Sequence, residues 1–290
     1  MFHRRTLPIA ITATAVVLAA SVTTLASATP AHHTTPATTA PTTSAPKPTI
    51  VLVNGAWSDS ASWSGVVKRL QDAGYPVAAP PTELRSLSGD SAYLASYLRT
   101  IQGPIVLVGQ SYGGSVITNA ATGNGSVRAL VYISAFAPDV GESAAALTAK
   151  FPGTHITDDP NAPVPTALSP VPFTQADGST GIDLYANADQ YRDVFLSNRL
   201  DNADSSELAA TQSPVTAAAL GDPSGQPAWK TIPSWYLVSD DDHLIPPAAE
   251  RFMATRAHAR TIDADTPHAA QVTNPGIVTS LIEQAATTTR

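Results

Sequence analysis

The chain has no cysteine, and that single absence removes disulfides, thiol nucleophiles and zinc–thiolate sites together. Charge is also scarce, at 13% of 290 residues, and it is one-sided, with 16 basic against 23 acidic side chains. The first 48 residues hold three of the basic residues and none of the acidic ones, leaving the remainder at a formal −10. A surface of that sign is ill suited to nucleic acid or to anionic membranes. No internal repeat is visible. Without cross-links, stability has to come from a buried core, for which a 43% hydrophobic content is sufficient.

The two ends of the first 48 residues differ in kind. MFHRRTLPIAITATAVVLAASVTTLASA, residues 1–28, has a basic start, an apolar middle and an Ala26-Ser27-Ala28 exit, the layout of a secretory signal peptide cleaved after Ala28. Its many Thr and Ser and its small-residue exit favour cleavage over retention as an anchor, so a secreted, extracellular protein is expected. Arg4-Arg5 leaves the general and twin-arginine routes both open. Residues 29–48, TPAHHTTPATTAPTTSAPKP, read as a disordered Thr/Ala/Pro tether, suited to glycosylation or to crossing a cell wall. His32 and His33 lie on it as a solvated pair rather than a metal site.

Residues 49–290 have the length of one α/β domain. Its centre is PIVLVGQSYGGSVITNAA, Pro104 to Ala121. Ile105 to Val108 is an apolar run of strand length, and Val116, Ile117, Ala120 and Ala121 recur at helical spacing. Between them, Gly109-Gln110-Ser111-Tyr112-Gly113 fits the G-x-S-x-G turn, which exposes a serine hydroxyl between strand and helix. Further strands are expected at Thr49–Val53, Pro76–Ala79, Ala129–Ser134, Ser234–Val238 and Arg260–Ala264. A helix is expected through Trp63, Val66 and Leu70, capped by Ser60 or Ser62 and stopped at Gly74. Another starts at Pro246 and Pro247. Strands alternating with helices predict a mostly parallel, doubly wound sheet of about six strands with its site at the strands' carboxyl ends.

The alternation stops between Asp139 and about Ile232. No clear strand is expected there, only short helical patterns at Ser143–Lys150, Ala188–Phe195 and Ser213–Leu220. Phe151, Phe173, Tyr185, Tyr191, Phe195 and Trp229 require burial, so the segment reads as a cap over the active edge rather than a linker.

A serine nucleophile needs a base, and the base needs a carboxylate. His3 falls in the leader, His32 and His33 in the tail, His155 in the cap and His258 at a helix end. His243 and His268 alone follow predicted sheet strands, and His268 follows the last, as the order serine, acid, histidine requires. The acid comes from Asp240, Asp241 or Asp242.

Taken together, VLVNGAW, VLVGQSYGG, YISAFAPDVGES, IPSWYLVSDDDHLIPPAAERFM and PHAAQVTNP resemble the α/β-hydrolase superfamily, and within it compact bacterial esterase-like proteins related to plant methyl ester esterases and hydroxynitrile lyases. The resemblance spans the whole domain and implies a cap inserted after the superfamily's sixth-strand position. Aligned on Ile245-Pro246-Pro247, it places the catalytic acid at Asp242. It implies an oxyanion hole from the amides of Ala56 and Tyr112, with Trp57 as substitute, and puts Trp57 and Phe136 at the substrate pocket. Asn54 and Gln110 depart from the family, which commonly has His at both places. The lyase branch is marked by a Thr for the turn glycine and a Lys after the catalytic His, where this chain has Gly55 and Ala269. A serine carboxylic-ester hydrolase working without metal or organic cofactor on a small-molecule ester is therefore expected. A lyase-like or other cofactor-free reaction on the same triad, and a binding protein retaining the fold, are the alternatives.

Overall fold

A computed structural model describes residues 46–288. The leader and nearly all of the tether lie outside the described residues. Six strands form one sheet: β1 (Thr49–Val53), β2 (Val77–Ala78), β3 (Ile105–Ser111), β4 (Val127–Ala135), then, much later in the chain, Ser234–Ser239 and Arg260–Ala264. Between these groups the chain makes β5 (Leu168–Thr174), β6 (Thr180–Ala186) and β7 (Val215–Thr216), so the last two core strands are β8 and β9. The core order is β2-β1-β3-β4-β8-β9 with every adjacent pair parallel. The expected doubly wound sheet is present.

Alternation along the strands explains why both faces are covered. Ile50 and Leu52 of β1 and Val106 and Val108 of β3 pack with Val66, Leu70, Leu281 and Ile282 from the helices Ser64–Asp72 and Pro275–Thr288. Val51, Val53, Ile105 and Leu107 point the other way, toward Leu94, Leu98, Val116 and Ile117 of the helices Leu87–Leu98 and Tyr112–Ala120. Strands apolar on both faces fit only a sheet buried on both sides. From β1 the chain steps outward to β2 and then back across to β3. Val53 pairs with Gly109 at that reversal, so the carboxyl ends of β1 and β3 sit side by side where a doubly wound sheet opens a crevice.

Two local details differ from the expected ones. The first helix is preceded by a 3-10 turn, Ser60–Trp63, capped by Asp59 rather than by Ser60 or Ser62. Asp59 sits one residue before the turn in extended backbone, where its carboxylate reaches the Ala61 amide at 2.8 Å. Gly74, at φ +77°, follows the helix as expected.

The expectation of a strand-free cap is corrected. β5, β6 and β7 form an antiparallel sheet of three strands. Its β5, LSPVPFT, carries Pro170 and Pro172, which mask a strand in sequence because proline cannot donate to a ladder. An edge strand tolerates them, and β5 is at the edge. Tyr191, Phe195 and Trp229 are buried as required of cap aromatics, whereas Tyr185 is 37% exposed on the hairpin's open face. A helix at Asn202–Ala210 was not legible either, since its small and polar residues mark no apolar stripe.

Candidate active site

At the end of β3 the backbone turns through Ser111 with φ 53° and ψ −125°. A positive φ at a non-glycine residue costs on the order of 1–3 kcal/mol and persists only where its surroundings enforce it. Glycine makes room for it here. A Cβ on Gly113 would stand 2.5 Å from the Val53 carbonyl oxygen, and one on Gly55 would stand 2.6 Å from Ser111 Cβ. The crossing of the β1 turn and the β3 turn therefore requires both glycines, and it presents Ser111 at the mouth of the crevice.

His268 lies in the loop after β9, and Asp242 in the loop after β8. Ser111 Oγ is 2.8 Å from His268 Nε2, and His268 Nδ1 is 2.6 Å from Asp242 Oδ2. An ionised carboxylate only accepts, so Nδ1 carries the ring proton and Nε2 accepts from the serine. The other Asp242 oxygen, Oδ1, accepts the amides of Leu244 and Ile245, each at 2.7 Å. The three acids of the loop are thereby separated. Asp240 pairs with Arg251 and Asp241 with Arg199, both at the surface, while Asp242 alone turns inward and is buried. His243 faces away from the triad toward Asp193.

Trp57 does not serve as oxyanion donor, because its amide donates to Ser213 O at 3.0 Å. Among the described residues the amide of Ala56 has no protein acceptor. Tyr112 is the first residue of its helix, where an amide has no intrahelical partner. Both residues, with Ser111, Trp57 and Phe136, line a cavity of about 640 Å³ that the cap closes with Phe151, Ile156 and Leu168. Trp57 is the joint between the two parts: its indole donates to Leu184 O at 2.9 Å, and its carbonyl accepts from the Tyr191 hydroxyl at 3.0 Å.

Asn54 and Gln110 spend their amides on backbone carbonyls. Asn54 Nδ2 holds Gly55 O and Ser58 O at 3.0 Å each, and Gln110 Nε2 holds His268 O at 3.1 Å. Gln110 thus steadies the main chain of the histidine, a contact that nothing in the sequence signals. Glu250 was missed altogether. At the start of the helix Pro247–Arg256 it looks like a solvated acid at a helix N-terminus, yet it is fully buried behind Asp242. Burial, then the Asp242 carboxylate, push its carboxyl well above the usual range. Its Oε2 accepts the Ser239 amide at 3.1 Å, while its buried Oε1 has no hydrogen-bond partner among the described residues.

Known proteins resemble this chain in sequence and fold. The alpha/beta hydrolase nvfD of Aspergillus novofumigatus is 29% identical over 263 residues, covering 83% of this chain and 97% of that protein. The carbendazim hydrolyzing esterase of a Nocardioides species is 35% identical over 113 residues, 34% of this chain and 47% of that protein. Among solved structures, a methylesterase from Arabidopsis superposes with a TM-score of 0.65 at 15% identity, covering 83% of this chain and 99% of its own. The family model for alpha/beta hydrolases matches residues 50–279, from β1 into the last helix and across all three residues of the serine–histidine–aspartate relay, and the chain belongs to that family.

Proposed function

We propose that this chain is a serine esterase that hydrolyses carboxylic esters through an acyl-enzyme. The observation carrying the reading is the Ser111–His268–Asp242 relay, with links of 2.8 and 2.6 Å, at an apolar cavity beside two unengaged amides. Ser111 Oγ attacks the ester carbonyl as its proton passes to His268 Nε2. The imidazolium so formed is stabilised by Asp242, whose geometry is fixed by two amides. Negative charge gathers on the former carbonyl oxygen, and the Ala56 and Tyr112 amides receive it. The carbonyl reforms, the alkoxide leaves with the proton held by His268, and water attacks the acyl-serine by the same steps in reverse.

The esterase among its relatives and the apolar lining, Phe136, Phe151, Ile156 and Leu168, favour an ester with an apolar acyl or alcohol part. Hydrolysis of p-nitrophenyl esters of increasing acyl length, beside Ser111→Ala, tests the reading. Turnover by the parent with a loss of about 10⁶ in kcat for the variant is expected. Esterase activity that survives Ser111→Ala would remove the serine from the mechanism. We further infer export on the strength of the leader, which makes Thr29 the first residue of the protein recovered from the medium.

A further inference from the structure

Among the described residues, one group of histidine and carboxylate side chains outside the triad converges at metal-ligand spacing. Its members come from three separate segments. His155 follows the cap helix Ala144–Ala149, Asp193 lies on the cap helix Ala188–Leu196, and His243 comes directly after Asp242 in the core. One ligating atom from each lies within 4.8 Å of the others. His155 Nδ1 is 2.7 Å from Asp193 Oδ2, and His243 Nδ1 is 3.1 Å from Asp193 Oδ1. The two imidazoles lie 4.0 Å apart, centroid to centroid.

We propose that His155, Asp193 and His243 bind a divalent transition-metal ion of the zinc class, with water completing the shell, and that this ion joins the cap to the loop bearing Asp242. Two imidazole nitrogens and one carboxylate oxygen are a donor set for zinc, nickel or copper; calcium and magnesium want oxygen alone. Tetrahedral ligands about 2.1 Å from zinc stand roughly 3.4 Å from one another, and three donor atoms, one per residue and all within 4.8 Å of each other, reach that spacing through small side-chain movements when the ion replaces the shared protons.

The surroundings already orient the donors. The His155 amide donates to His243 O at 2.6 Å, fixing the two ligand-bearing backbones together. Asn198 Nδ2 donates to Asp193 Oδ1 at 3.0 Å. The far nitrogen of His243, Nε2, faces Asp241 Oδ1 at 3.5 Å, and Asp241 is itself held by Arg199 at 2.7 Å. A carboxylate behind a ligating imidazole sets its tautomer and raises its basicity. The nearby arginines are engaged elsewhere: Arg192 with Leu200 O and Asn198, and Arg199 with Asp241 and Asp265. The His155 and Asp193 side chains are 46% and 40% exposed, so an ion reaches the site from solvent.

The test is calorimetric titration of the chelator-stripped protein with zinc chloride, with magnesium chloride as control, alongside thermal melts at rising zinc. One equivalent of zinc with a rising melting temperature, and no response to magnesium, is expected. His155→Ala, at a half-exposed position that folding tolerates, should weaken zinc at least tenfold, as should His243→Gln. The variant His32→Ala/His33→Ala should bind as the parent does. Absence of a stoichiometric zinc isotherm overturns the proposal. So does binding that survives His155→Ala unchanged, or that is lost with the His32/His33 pair instead.

Discussion

The core edge and the cap build opposite walls of one cavity by different physics. On the core side, Ser111, Tyr112 and Ala56 are placed by strand ladders and glycine crossings, and all are buried. On the cap side a small antiparallel sheet, with β5 largely exposed, meets the core at Trp57 through Leu184 O, Ser213 O and the Tyr191 hydroxyl, while Phe195 O accepts the Ala269 amide at 3.0 Å. One wall is fixed by backbone geometry and the other by apolar packing onto the core together with a handful of directed hydrogen bonds. Chemistry and substrate fit are thus assigned to separate parts, and substitutions should separate them too.

After loss of the serine itself, the largest effect within the core should come from Asp242→Asn. It preserves shape but removes the charge that fixes the His268 tautomer, and kcat should fall by about 10⁴. An active Asn variant would show that the acid is dispensable and that the core edge is less exacting than its burial implies. Gly113→Ala attacks placement instead. Its Cβ meets backbone at 2.5 and 2.7 Å, so stability should drop by about 3 kcal/mol in urea unfolding, with activity lost alongside. A neutral result would mean that the two turns can part without cost.

Glu250→Gln sharpens the core side further. A carboxyl whose folded pKa is raised stabilises the native state fully below its unfolded value, 4.5, and the stability is lost as pH rises through the folded value. Melting temperatures of parent and variant should coincide near pH 4, and the parent should fall progressively below Glu250→Gln above pH 4.5. Parallel curves would show that Glu250 is ionised in the folded protein. The smallest effect belongs to the cap: Tyr191→Phe removes one hydrogen bond to Trp57 O, costing about 1 kcal/mol and raising KM while kcat stays near the parent's. A large fall in kcat there would break the division between the walls.

That division also decides what could be read in advance. The six core strands were visible as short apolar runs, four of them closed by glycine or acidic turns and the other two by proline-bearing loops, and Ser111 and His268 followed from motif and chain order. Asp242 needed the family resemblance, because three adjacent acids differ only in which way the loop turns them, and Arg251 and Arg199 do that sorting. The β5 and β6 hairpin was hidden by Pro170 and Pro172. The burial of Glu250 was hidden by a helix start that suits an exposed acid. His155 and His243 are brought together only by the cap's tertiary path.

Those two prolines also bear on how the protein behaves in a crowd. Among the described residues β5 is an unpaired edge flanked by the exposed side chains of Val171 and Tyr185, an invitation to pair with the strand of another molecule. Pro170 and Pro172 sit two residues apart, so their nitrogens face the same side of the strand, and the ladder to β6 tolerates them only if that side is the open one. Two donors are thereby missing from the edge that a neighbouring chain would have to join. The cap keeps an apolar, solvent-facing hairpin while denying it the means to polymerise.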